Sequence, residues 1–122
     1  MRHAAGSPPA ACPPKEITMI HFTNAQREFA ETGIHGIRFA SIWGENGNGS
    51  DFIEFKAGAR FPLHDHEGPE EILMISGRIR FGDLELSAGD YLKIGPGEQH
   101  DAQALEDSLF FLAHLGAAVL KE

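Results

Sequence analysis

The chain has 122 residues, a formal net charge of -8 and 42% hydrophobic residues, with nine Phe, 14 Gly and seven Pro. That length suits one domain with one core rather than two, and the apolar fraction excludes a chain that is disordered over most of its length. Its ten Lys and Arg are scattered, which excludes the clustered positive surface that a nucleic-acid partner requires.

Residues 1–18, beginning MRHAAGSPPAACPP, combine Gly, Ser and Pro with small side chains and are expected to form a flexible N-terminal arm. The stretch lacks the contiguous apolar run of a secretory signal, and no run along the chain approaches the ~20 residues that cross a bilayer. The expectation is a soluble, cytoplasmic protein with no membrane partner. Cys12 is the single cysteine, so no intramolecular disulfide forms, and it reads as an exposed, inert thiol.

Residues 19–122 are expected to form a single β-barrel domain. From Thr23 to Gly33 the sequence TNAQREFAETG offers a capping residue, helix formers and a glycine stop, predicting a short N-terminal helix of about two turns. Beyond it the helical period disappears. GIRFASIW at 36–43 alternates as a strand does, and ENGNGSD at 45–51 is a turn cluster whose Asn-Gly signals a hairpin. FIEFKAGARF supplies a strand, a turn at Ala57 and Gly58, and a return strand carrying Phe61, Leu63 and two histidines. Three or four short strands follow, punctuated at Gly77, Gly82–Asp83, Ala88–Gly89 and Gly95–Gly97, and SLFFLAHLGAAVL closes the chain. Strands at this spacing without intervening helices predict an all-β fold, an antiparallel sandwich or barrel. Most of the phenylalanines are expected to fill its core.

Chemistry concentrates in HDHEGPEE, residues 64–71. Side chains two apart on a strand share a face, so His64 and His66 aim into one space while Asp65 looks away. After the Gly68–Pro69 break, which is expected to fold the next strand beside the first, Glu70, Ile72 and Met74 share a face and Glu71, Leu73 and Ile75 the other. A slip of one residue at Pro69 exchanges the two glutamates. His100, after the Gly-rich GPGEQ, is the fourth candidate. Imidazoles and a carboxylate converging inside a small barrel suit one divalent ion of the Fe, Mn, Ni, Zn or Cu kind and are a poor match for calcium. The competing reading is a solvated acidic turn with incidental histidines. Ile72 and Met74 are the expected pocket wall, and His114, in alternation with Phe110 and Leu112, is either an outer hydrogen-bond partner of the centre or a satisfied histidine.

The stretch from Gly58 to Gly77 reads G-(x)5-H-x-H-(x)3-E-(x)6-G and resembles the first cupin motif at every defining position. GDYLKIGPGEQH, Gly89 to His100, is similar to the second, G-(x)5-P-x-G-(x)2-H, with Gly95 in place of its first proline and Ala104 where asparagine is frequent. The resemblance implies a double-stranded β-helix, or jelly roll, and by position the metal ligands His64, His66, Glu70 and His100. GARFPLHDH and the second motif look most like small cupins related to the metal-binding domain of certain anti-sigma factors and to diketone-cleaving dioxygenases. This implies a metal-dependent enzyme, dioxygenase or isomerase, acting on a small chelating or enolisable substrate. The alternatives are a sensor that binds a metal or small ligand without turnover, and a barrel whose metal is structural. A single Cys and 35 residues before the first strand are too little for the helical zinc domain with which anti-sigma cupins grip a sigma factor. A homodimer through outer strands is a further expectation of the resemblance.

Overall fold

The computed structural model describes residues 19–122. The expected arm, with Cys12, lies outside the described residues. Near the start, Gln26 Oε1 accepts the Thr23 backbone N–H at 2.7 Å and closes a single 3-10 turn, Asn24–Gln26. The two-turn helix expected from Thr23 to Gly33 does not form. The chain runs instead into an edge strand, β1 (Ala30–Glu31), paired with β2 (Ile37–Glu45). A helix that short carries an unfavourable nucleus, and the side chains of this segment find better contacts on the sheet. Phe22 stacks on Phe52 with ring centroids 6.4 Å apart, and the Arg27 guanidinium sits 3.7 Å from the centre of the same ring.

The Asn-Gly hairpin forms as its dipeptide dictates. Asn46 and Gly47 take φ of 54° and 82°, the left-handed pair of a type I′ turn, whose twist matches the flanking strands. The turn occupies only those two residues, so β3 (Asn48–Phe55) already begins inside the polar cluster. The next connection departs from expectation. At Ala57–Gly58 the chain does not return beside β3, because Gly58 N–H donates to Ala104 O and Ala104 N–H to Ala59 O, each at 2.9 Å. These bonds draw β4 (Arg60–His66) into the opposite sheet.

From there the chain alternates between layers through β5 (Glu70–Ser76), the hairpin of β6 (Arg78–Phe81) and β7 (Leu84–Ser87), β8 (Tyr91–Ile94), β9 (His100–Ala104), β10 (Ser108–His114) and β11 (Ala118–Leu120). Two antiparallel sheets result, one ordered β1-β2-β3-β10-β5-β8 and the other β11-β4-β9-β6-β7. Strand-by-strand alternation between facing sheets winds the chain as a double-stranded β-helix, the jelly-roll solution to burying one face of each sheet. Gly77 permits the switch from β5 to β6. Its φ is 82°, and a Cβ there would collide with Asp107 O and Ser108 Oγ.

The inner faces close on Ile37, Phe55, Met74, Ile79, Phe81 and Phe110. Outside them an ionic clamp ties strands together. Asp101 accepts from Arg60 Nε at 2.9 Å and Arg80 Nη1 at 3.0 Å, while Arg60 also reaches Glu122 at 2.7 Å. The Arg80 hydrogen bond, opposed by partial burial and joined by Arg60, pulls the Asp101 carboxyl down to about 2. A carboxyl more acidic in the folded than in the unfolded chain adds stability that is complete above the unfolded value of ~3.9 and is lost as pH falls toward the folded one. Asp101→Asn is therefore expected to flatten the loss of stability between about pH 4 and pH 2, as followed by denaturant melts across that window. An unaltered pH profile contradicts the clamp.

Candidate metal centre

The centre begins with an irregularity in β4. Its register against β9 pairs Phe61 with Ala102 and then His64 with His100, one residue too many on the β4 side. Pro62 falls in that interval, has no N–H to give a ladder, and marks a bulge. Residues three apart on a regular strand face opposite sides. The bulge turns Phe61 and His64 to the same side, with ring centroids 4.5 Å apart on the wall of one cavity. His66 follows His64 inward by ordinary alternation, and both are buried.

Glu70 opens β5, in the sheet facing β4, so the Gly68–Pro69 break carries the chain across the sandwich instead of beside the first strand. Burial alternates along β5, and Glu70 is 3% exposed while Glu71 is exposed and accepts the Tyr91 hydroxyl at 2.5 Å. Of the two glutamates, Glu70 faces in. His100 opens β9 directly opposite His64, with ring centroids 4.3 Å apart.

Three elements thus bring the four residues together. His64, Glu70 and His100 each offer a donor atom within 4.8 Å of the others'. His66 stands just outside that group but reaches the same carboxylate, its Nε2 lying 3.1 Å from Glu70 Oε2; His100 Nε2 lies 3.5 Å from Oε1. His64 Nδ1 contacts Pro62 O at 2.9 Å. A carbonyl only accepts, so that nitrogen carries the proton and Nε2 keeps its lone pair for the centre. Burial pushes His64 and His66 below the usual imidazole range. His100 feels the same burial, but the hydrogen bond to Glu70 and the charge on Glu70 outweigh it and raise this residue.

The donor set fits a divalent ion. His66 Nε2 and His100 Nε2 both face the Glu70 carboxylate, and with Nδ1 of His64 held by Pro62 O its Nε2 is free to join them. Imidazole nitrogens gathered about one carboxylate are the donor set of a borderline cation. The four side chains line a cavity of about 90 Å³ whose other walls include Phe55, Phe61, Ile72, Phe81, Phe110 and Leu112. Ile72 lines it. Met74, the other residue expected there, is 1% exposed within the core and is not part of the lining.

His114 ends β10 with Nδ1 3.0 Å from Gly116 O and Nε2 3.3 Å from Asp51 Oδ2. Its ring centroid is 6.2 Å from that of His66, beyond the cavity lining. Asp51 carries no sequence signal, since it sits in what reads as a turn cluster; burial raises its carboxyl, opposed by His114. Among the described residues no helix is long and apolar enough to cross a membrane.

A double-stranded β-helix whose inner strands gather imidazoles and one carboxylate defines the cupin class. The sequence matches the ChrR cupin-like domain family over residues 17–119, and the chain belongs to that family. No protein of curated function matches it. Among solved structures it is similar to a candidate acetylacetone dioxygenase from Methylibium petroleiphilum PM1, at 19% identity and TM-score 0.80 over 88% of this chain and 84% of that one. An acetylacetone dioxygenase from Acinetobacter johnsonii superimposes at 17% identity and TM-score 0.76 over 92% and 84% of the two chains. A chain from the complex of Rhodobacter sphaeroides SigE with the anti-sigma ChrR follows, at 21% identity and TM-score 0.67 over 76% of this chain and 51% of that one. At these identities the likenesses establish the shared fold.

Proposed function

We propose that the chain is a metal-dependent cupin enzyme of the dioxygenase type, in which His64, His66, Glu70 and His100 hold one divalent ion and a small chelating or enolisable molecule such as a β-dicarbonyl is the substrate. The observation that carries this reading is the convergence of two buried imidazoles, a third that is 10% exposed and one buried carboxylate on the wall of a largely apolar cavity. The names of the two dioxygenase structures support the substrate class.

The chain's own residues account for the environment such chemistry needs. Pro62 O fixes the tautomer of His64 and so the direction of its lone pair. Phe61, Phe81, Phe110 and Leu112 give the cavity apolar walls, beside which polar contacts are stronger than in open water. Glu70 is the carboxylate of the cavity wall, with His66 Nε2 3.1 Å from Oε2 and His100 Nε2 3.5 Å from Oε1. It is the group able to receive the proton of an acidic C–H between two carbonyls, or to stay a ligand while the dicarbonyl enters already enolised. A bound ion supplies Lewis acidity toward the dicarbonyl oxygens and, if redox-active, access to dioxygen.

Full-length protein loaded with Fe(II) in the absence of air and then given pentane-2,4-dione and oxygen is expected to consume the two together, as read by an oxygen electrode and the dione absorbance. Tight binding of the dione with no oxygen uptake would instead favour a ligand-binding regulator, the reading to which the likeness to the anti-sigma complex lends support. Neither binding nor uptake contradicts both.

A further inference from the structure

Strands β7 and β8 are joined by a tight turn in which Asp90 N–H donates to Ser87 O at 2.9 Å, yet they belong to different sheets. Away from the turn they part. Between Leu84 on one side and Leu92 and Ile94 on the other lies a groove of about 390 Å³. Its inner wall is formed by Phe81 and His100, and the same two side chains wall the buried cavity. Phe81 is 5% exposed, the His100 side chain 10%, and their ring centroids are 6.4 Å apart. Groove and cavity are therefore separated by a partition one side chain thick.

The groove is apolar where it approaches that partition. Leu92 and Ile94 pack against the core cluster, while Leu84 is 56% exposed, apolar surface on one wall of a concave site. Asp83, Lys93 and Glu98 also line the groove; with one cation against two anions there is no excess positive charge to select an anionic ligand. The backbone on either side of the partition is uncrowded: a Cβ on Gly82 would meet nothing closer than 4.0 Å, and one on Gly95 nothing within 4 Å.

We propose that this groove receives an uncharged apolar substituent of the substrate, so that the protein prefers 1,3-dicarbonyls bearing an aryl or longer alkyl group over pentane-2,4-dione. The inference rests on the dicarbonyl reading above. The head of such a molecule lies at the histidine and glutamate cluster, and its substituent rests on Leu84, Leu92 and Ile94 once the Phe81 side chain swings aside, since the Phe81 and His100 rings, 6.4 Å apart, close the way in this structure.

The test is calorimetric binding to the full-length chain loaded with zinc, which is redox-inert, so that affinity is read without turnover. 1-Phenylbutane-1,3-dione is expected to bind about tenfold more tightly than pentane-2,4-dione, the gain that burying one face of a phenyl ring brings. In Leu84→Asp, a change at an exposed position, the ratio of the two affinities is expected to fall to near one. Equal affinities in the unaltered protein, or an unchanged ratio in the variant, overturn the groove assignment and leave the dicarbonyl reading standing. Binding of neither dione removes both.

Discussion

His100→Ala and His66→Ala are each expected to lower metal affinity by more than ~100-fold, because the loss of even an outer hydrogen-bond partner of a ligand typically costs about 10–100-fold. The two variants probe different parts of the centre. His100 belongs to the group of donors within 4.8 Å of one another, whereas His66 lies outside it, with Nε2 3.1 Å from Glu70 Oε2 and its ring centroid 5.2 Å from that of His64. If His66 is a ligand, the variants lose the ion equally; if it only orients Glu70, His66→Ala retains more of it. Metal content after dialysis, by elemental analysis, distinguishes these cases, and an unchanged content in both variants contradicts the assignment. An ion that binds the folded chain also stabilises it by linkage, so chelation is expected to lower the melting temperature of the unaltered protein and to leave that of His100→Ala where it was.

Phe110→Ala is expected to cost about 3–5 kcal/mol of stability, in the range of large-to-small changes in a core. The ring is 4% exposed, lies 5.8 Å from that of Phe55 and 5.5 Å from that of Phe81, and stands on β10 between β3 and β5. It therefore packs against both sheets, and little can collapse into its place without separating them. It also walls the cavity, so the variant is expected to enlarge the space beside the candidate centre. Chemical denaturation with an unchanged slope measures the loss, and a change under about 1 kcal/mol would contradict the placement of Phe110 at the junction of the layers.

Much of this arrangement was legible from residue order because it follows from local rules. Asn46–Gly47 dictates its turn, the alternation along β5 places Glu70 and Ile72 on one face, and the glycines at 77, 82, 89 and 97 mark the turns, all with positive φ. What was not legible depends on partners distant in sequence. The turn at Ala57–Gly58 looks like a hairpin until Ala104 competes for its backbone groups. Thr23 to Gly33 has helical propensity, but Arg27 within it and Phe22 just before it settle on the Phe52 ring. Alternation through Pro62 places Phe61 away from the histidines, and only the bulge brings it beside His64; a proline inside a strand was the available signal. Met74 shares the face of Glu70 and Ile72 yet falls beyond the cavity, since periodicity gives direction and not depth. Asp51 joins His114 across paired strands, a contact that neither residue's neighbours announce.

The most direct test of the central claim is anomalous diffraction from crystals of the full-length protein, purified without chelator or nickel resin and recorded at the absorption edges of the first-row metals. The account predicts one peak per chain, surrounded by His64, His66, Glu70 and His100 at donor distances of about 2.0–2.2 Å. A peak bound elsewhere, or none at that position after equilibration with zinc, would contradict it.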